Sequence, residues 1–288
     1  MNPVTSVGAA RSIGRILVES GRLSGPDADR ISEYQQQHSL QFGDAAIALR
    51  LLGKADIDYA LAKQFDYAYL NNQDNSLSAE LVAAYKPFSS VGENLRAVRS
   101  QLMLRWFNTD PKRKVIAVVS PGKGEGRSFI TANLAIVFAQ QGQRTLLLDA
   151  DLRAAPTQGQ HSLFKLGKSI GLSGILADRA GLEAALPVPS LTGLTVLPVG
   201  AVPPNPQELL GRPEFRELLG KAAQQFDVII IDTPSGGDFA DAEIIAARAG
   251  AALIVARKNQ TLIPNVALLA RRLQEGGVTL VGSVLNDG

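Results

Sequence analysis

Along the first 70 residues the apolar positions run through the same order twice. Displaced by 29, Ile13-Gly14 falls on Phe42-Gly43, Val18 on Ile47, Leu23 on Leu52, Asp27 on Asp56 and Gln35 on Gln64, which is the mark of an internal repeat. Each copy spells two short helices, the second opened by acidic residues (Asp27, Asp29; Asp56, Asp58) that suit the positive end of a helix. A small all-α domain over residues 1–70 is predicted. The stretch NNQDNSLS from Asn71 to Ser78 is polar and without period, so residues 71–84 read as a linker. Gly92 to Phe107 then sets Leu95, Val98, Leu102 and Trp106 at helical spacing among charges, an amphipathic helix.

From Val115 the period switches back and forth. The runs VIAVVS, TLLLDAD, LTVLPVG, FDVIIID, ALIVARK and LVGSVLND read as strands, with helices over Ser128 to Gln141, near Pro213 to Gln225 and near Pro264 to Glu275. Strands that are apolar throughout, separated by amphipathic helices, predict an α/β domain over residues 85–288. Its sheet is mainly parallel and covered by helices on both faces.

The first strand of that domain runs into SPGKGEGRS, Ser120 to Ser128, and then directly into a helix. Glycines at 122, 124 and 126 let backbone N–H groups turn toward a polyphosphate, and the helix adds its positive end. Such a turn is a P-loop, here spanning Gly122, Lys123, Gly124, Glu125, Gly126, Arg127, Ser128 and Phe129. The strict pattern G-x-x-x-x-G-K-[ST] fails at Pro121, in place of the first glycine, and at Arg127, in place of lysine. The second departure separates nucleotide binding from phosphoryl transfer, since a planar guanidinium does not deliver charge as a compact ammonium does. Asp149 and Asp151 end TLLLDAD and Asp232 ends FDVIIID. Carboxylates at the carboxyl edge of parallel strands lie where a phosphate-bound Mg²⁺ needs oxygen ligands and a nucleophile needs a base.

Composition narrows the remaining classes. A net charge of +2 over 288 residues is too small to imply a nucleic-acid partner, and Lys112, Arg113 and Lys114 read as a solvated basic edge. With no cysteine, thiol chemistry and cysteine zinc sites are excluded. The longest apolar runs, about six to eight residues, fall short of the roughly 20 a membrane helix needs. A cytoplasmic protein, joined to the membrane through a partner, is the expectation.

Taken with DADLR (Asp149 to Arg153), DTP (Asp232 to Pro234), PNPQELL (Pro204 to Leu210) and ENLRAVR (Glu93 to Arg99), the loop makes residues 85–288 resemble the bacterial tyrosine kinases. The similarity is greatest to the chain-length-determinant kinases of exopolysaccharide operons, within the MinD/ParA-like branch of P-loop proteins. The resemblance implies ATP and Mg²⁺ as cofactors, with Ser128, Asp151 and Asp232 at the metal. Asp149 is then the base toward a tyrosine hydroxyl, Arg127 acts on the phosphates, and Asn286 and Pro204 to Leu210 are candidates for the nucleotide base. It further implies a homo-oligomer in which Glu93, Arg96 and Arg99, on one side of a helix, meet the neighbouring subunit. The partner would be a membrane chain-length determinant (a polysaccharide co-polymerase) that recruits the chain to the inner membrane, with the helix around Trp106 and the repeat as docking surfaces.

Members of this family carry a tyrosine cluster after the last strand. The five tyrosines here, Tyr34, Tyr59, Tyr67, Tyr69 and Tyr85, all lie earlier, and Tyr67 and Tyr69 beside the polar linker are the candidate phosphoacceptors. The N-terminal repeat resembles the N-terminal domain of type II secretion ATPases, some of which bind cyclic-di-GMP. Arg50 in place of the first copy's Gly21, and Ser12 where a leading arginine is expected, favour protein docking over that dinucleotide. Two other functions share the fold: an ATP-dependent scaffold or switch without transfer, which Arg127 favours, and a MinD/ParA-like ATPase. The latter places its signature lysine where Gly122 stands.

Overall fold

The computed structural model describes residues 12–64, 70, 74–155, 157–237 and 239–288. The chain divides into two compact units, Met1–Asn71 and Asn72–Gly288.

In the first unit the repeat is a repeat of structure. Helices α1 (Ile13–Glu19) and α2 (Gly25–His38) form one copy, α3 (Phe42–Ala48) and α4 (Lys54–Gln64) the other. The turns leaving α1 and α3 match bond for bond. Gly21 N donates to Val18 O and Arg50 N to Ile47 O; Arg22 N donates to Leu17 O and Leu51 N to Ala46 O. Gly21 is left-handed at φ +71° and its counterpart Arg50 adopts φ +56°, a conformation that costs an L side chain roughly 1 kcal/mol. Leu17, Ile31, Ala45, Ala46 and Ala60 are buried between the copies.

The second unit begins at Asn72, earlier than the start near 85 that the polar stretch suggests. Leu77, Leu81, Ala83 and Ala84 are buried, and α5 (Val82–Tyr85) is tied to the helix after the glycine loop. There the buried Asn133 accepts from Ala83 N (2.9 Å) and donates to Glu80 O (3.2 Å). Next come α6 (Ser90–Arg105), β1 (Val115–Val119), α7 (Arg127–Ala139) and β2 (Thr145–Asp149). The short helices α8 (Gln160–Leu163) and α9 (Gly171–Leu176) lead to β3 (Leu186–Pro187) and β4 (Leu194–Leu197). Helices α10 (Pro206–Gly211) and α11 (Pro213–Gln225), β5 (Val228–Asp232) and α12 (Asp241–Ala249) follow. The chain closes with β6 (Ala251–Arg257), α13 (Ile263–Glu275) and β7 (Thr279–Asn286).

The sheet runs β3-β4-β2-β5-β1-β6-β7, parallel throughout except where β3 pairs antiparallel with β4. Strand residues alternate between two cores. Ala117, Val119, Leu146, Leu148, Ile229 and Ile231 pack with Phe215, Leu218, Ile245 and Leu269 of α11, α12 and α13. The opposite face is crossed by α7, which meets β1, β2, β4 and β5 and is itself covered by α5 and α6. Buried from Ile130 to Ala139, α7 is apolar around its whole circumference because it has a neighbour on every side.

The helix read from Gly92 to Phe107 is α6, but its last apolar residue faces inward. Trp106 is buried, its indole N–H donates to Val115 O (2.9 Å), and Arg113 stacks on its ring. It anchors α6 to β1, while Val91 and Leu104 on the same helix stay exposed. Lys114 is likewise structural, its ammonium capping Ala223 O and Phe226 O at the end of α11. No helix among the described residues is long and apolar enough to cross a membrane.

Candidate functional site

Parallel strands deliver their ends to one edge of the sheet, and the polar sequence segments converge there. The loop from Ser120 to Gly126 leaves β1, with left-handed Gly124 (φ +72°) and Gly126 (φ +88°) turning the backbone into α7. A side chain at Gly126 would collide with the Asn286 amide, which donates to Glu125 O (3.1 Å). Arg257, at the end of β6, donates to Gly124 O (3.0 Å). Glu125 turns inward, where its carboxylate accepts from Gly122 N (2.8 Å) and from the Thr261 hydroxyl. The loop is therefore held open by its own glutamate and by the ends of β6 and β7. Lys123 is exposed on it and Phe129 is half-buried.

On the neighbouring strands Asp149 and Asp232 stand in register, both 1% exposed. The Asp149 carboxylate accepts from Asp151 N (3.2 Å) and Gln160 N (3.1 Å). Burial, and then the facing Asp232, push it well above the ordinary carboxylate range. Asp232 is also raised by burial, opposed first by the Arg127 guanidinium and then by hydrogen bonds from Ser128 and Gln160. Two buried carboxylates side by side demand a cation.

Arg127 supplies one. Its side chain, 10% exposed, donates to the Ser120 hydroxyl (2.7 Å) and lies 3.5 Å from Asp232 and 3.8 Å from Asp151. The sequence assigns it to the phosphates; in this structure it faces the acidic side of the site. Its Nε is buried without a hydrogen-bond acceptor.

Gln160 had no signal in the sequence. It is the first residue of the short helix α8 and fully buried, and its amide joins Ser128 O (3.1 Å) to Asp232 (2.7 Å) while its backbone N–H holds Asp149. Gly159 before it has φ +58°, and a Cβ there would stand 2.9 Å from the Asp149 carboxylate. Arg153, two residues past Asp151, reaches the buried Asp241 through two bonds and stacks on Phe239 at 3.6 Å. This clamps the end of β2 to the start of α12.

These donors fit a magnesium–nucleotide. Ser128, Asp232 and the partly exposed Asp151 would hold the ion and its waters, and the glycine-loop amides and the N-terminus of α7 the phosphates. Among the described residues no three acidic or histidine side chains form a ready cage. Mg²⁺ does not need one, since it takes one or two carboxylates and completes its shell with phosphate oxygens and water.

Other assigned residues are dispersed. Asn286 ends β7, whereas the segment 204–210 follows β4 and forms α10, which packs against α12. On α6, Glu93 is exposed and pairs with Arg96, which also donates to Pro87 O (2.6 Å); Arg99 donates to Val137 O (3.0 Å). Both arginines thus hold their own subunit together. Tyr85 is buried with its hydroxyl bonded to Leu77, Tyr34 stacks on His38, and Arg22 lies over Tyr59. Tyr67 and Tyr69 lie outside the described residues.

Residues 113–262 match the family described as an AAA domain. The chain is 33% identical over 219 residues to the tyrosine-protein kinase YwqD of Bacillus subtilis, covering 76% of this chain and 90% of that one. It is 35% identical over 205 residues to the tyrosine-protein kinase Etk of Escherichia coli K12, covering 71% of this chain but only 28% of that longer protein. The solved kinase domain of Escherichia coli ETK superposes with a TM-score of 0.68 at 31% identity, over 75% of this chain and 83% of that one. By these matches in sequence and structure, the chain belongs to the bacterial tyrosine-protein kinases, on a P-loop domain of the AAA type.

Proposed function

We propose that this chain is an ATP- and Mg²⁺-dependent protein tyrosine kinase that phosphorylates its own or a neighbouring subunit's tyrosines and so regulates exopolysaccharide chain length, polymerisation or export. The observation that carries the reading is the pairing of Asp149 with Asp232, one strand from the glycine loop. The Asp149 carboxylate accepts the proton of the incoming tyrosine hydroxyl, and burial beside Asp232 raises its proton affinity, which favours that role. The loop amides and the α7 N-terminus neutralise phosphate oxygens, the largest protein contribution to such transfers. A bound Mg²⁺ supplies charge neutralisation at the transferring phosphoryl group. Gln160 keeps both carboxylates oriented.

Relatives include one named as a putative tyrosine-protein kinase in the cps region of Klebsiella pneumoniae, which supports a role in polysaccharide assembly. The partner in this reading is a membrane chain-length determinant. Self-association uses the exposed Glu93 beside Arg96 and Arg99, and Tyr67 and Tyr69 are the acceptors. Phosphosite mapping after incubation with MgATP tests the acceptor assignment, and label absent from both tyrosines would remove it. A second reading, an ATP-dependent scaffold without transfer, is favoured by the Arg127 contacts with Asp232 and Asp151. ATP bound tightly with no label on tyrosine would establish that reading instead.

A further inference from the structure

The two flanks of the catalytic edge differ chemically. Toward β6 and β7, Arg257 and Asn286 close directly on the glycine loop. Beyond Asp149 on the other side the next strand is β4, and its end leads into the loop Pro198 to Asn205. A cleft of about 390 Å³ opens there between α9 and α10, with Ile170, Val202, Pro203 and Leu209 in its walls and Arg179 and Arg212 among its lining residues. That lining contains two arginines and no carboxylate. Glu208, on α10, instead acts electrostatically on Arg153.

The cleft is built rigidly. Leu172 N donates to Pro198 O (2.8 Å) and Ser173 N to Val199 O (2.9 Å), locking the β4 loop onto α9. At that junction Gly171 (φ +63°) and Gly200 (φ +81°) cross so closely that a Cβ on Gly171 would stand 2.2 Å from Gly200 N. Only two glycines allow the approach. Ile170 and Val202 remain exposed beside it, and Arg212 leans on Leu176 O at 3.4 Å.

Across the edge the order is Asn286, glycine loop, Asp232, Asp149, cleft. We propose that the cleft docks the polypeptide acceptor, an extended tyrosine-bearing segment with acidic neighbours. An aliphatic side chain enters between Ile170, Val202 and Leu209, carboxylates pair with Arg179 and Arg212, and the tyrosine extends toward Asp149. This rests on the kinase reading for the identity of the occupant. Charge complementarity at two exposed arginines gives selectivity between acidic and neutral segments.

The test uses the full chain and a short fluorescent peptide in which acidic residues flank a phenylalanine in place of tyrosine, beside the same peptide with glutamines for glutamates. Anisotropy is expected to give about tenfold tighter binding of the acidic peptide, a preference lost in Arg179→Glu/Arg212→Glu. Val202→Asp weakens both peptides, and MgATP affinity is unchanged in both variants. Equal affinity for the two peptides, or a preference that survives the double charge reversal, overturns the proposal. So does a change in sedimentation of the charge-reversed variant with peptide affinity intact, which would make the cleft a contact with a second copy. Because the peptide has no acceptor hydroxyl, the result is independent of transfer. A tyrosine version that binds with the same preference but is never phosphorylated refutes the kinase reading and supports the cleft.

Discussion

Asp149 at the end of β2 stands in register with Asp232 at the end of β5, two buried carboxylates on adjacent parallel strands with Gln160 bonded to both. Their pairing puts an acceptor for a proton beside oxygens suited to a divalent cation. Substituting Asp149→Asn leaves the metal-side Asp232 and Asp151 in place and removes only the proton acceptor. Phosphoryl transfer is expected to fall by about 10²- to 10⁴-fold, with MgATP affinity within a few-fold of the parent. Quench-flow transfer rates and equilibrium nucleotide titrations measure the two quantities separately.

The same pair makes stability depend on pH in a defined direction. Asp149 keeps its proton in the folded protein above the ordinary value of 3.8, at which the unfolded chain releases it. Across that window the folded state binds more protons, so stability without nucleotide falls as pH rises and levels off once the native carboxylate has ionised. Denaturant titrations over the acidic to neutral range should trace this fall, and Asp149→Asn should flatten it. Binding of MgATP should release protons, detectable by calorimetry in buffers of different ionisation enthalpy.

Arg127 neutralises Asp232 and Asp151 from inside the site. Removing it as Arg127→Ala leaves those carboxylates without their cation and is expected to lower stability by about 3–5 kcal/mol. Arg127→Lys restores a compact charge that reaches phosphates more readily and pairs less broadly with carboxylates. The Mg²⁺ concentration for half-maximal nucleotide binding should therefore fall in the lysine variant, read by fluorescent-nucleotide titration.

Arg50 occupies the left-handed turn that Gly21 fills in the first copy of the repeat. Arg50→Gly is expected to slow hydrogen exchange at the α3–α4 amides, corresponding to a gain of about 0.5–1 kcal/mol in local stability. Gly21→Ala should accelerate exchange at the equivalent α1–α2 turn. Opposite responses at matching positions would establish that the copies share one backbone geometry.

Much of the architecture was legible because it rests on periodicity. Strands buried on both faces, such as VIIID, admit few other readings, and the α7 run is apolar around its circumference for the same reason. The glycine loop and its aspartates were legible because parallel strands bring their carboxyl ends to one edge. What escaped notice depends on long-range contacts that leave no local pattern. Gln160 is one polar residue opening a four-residue helix, too short to show a period, and its role arises only where α8 meets the ends of β2 and β5. The Trp106 stripe read as amphipathic because helical spacing does not reveal which neighbour covers it; the cover is β1. Leu186–Pro187 is too short to register as a strand, and its antiparallel pairing with β4 comes from the turn through Gly193. The segment Leu77 to Ala84 looked like linker because NNQDNS precedes it, whereas Leu77, Leu81, Ala83 and Ala84 are buried and α5 packs against α7.

The central claim, that this site transfers phosphate to tyrosine, is tested most directly by following γ-labelled ATP in the purified full chain and in Asp149→Asn/Asp151→Asn. Phosphotyrosine that accumulates in the parent and is lost in the variant is the predicted result. Free phosphate alone, or tight ATP binding with neither product, would contradict it, the first in favour of a MinD/ParA-like ATPase and the second in favour of a nucleotide-switched scaffold.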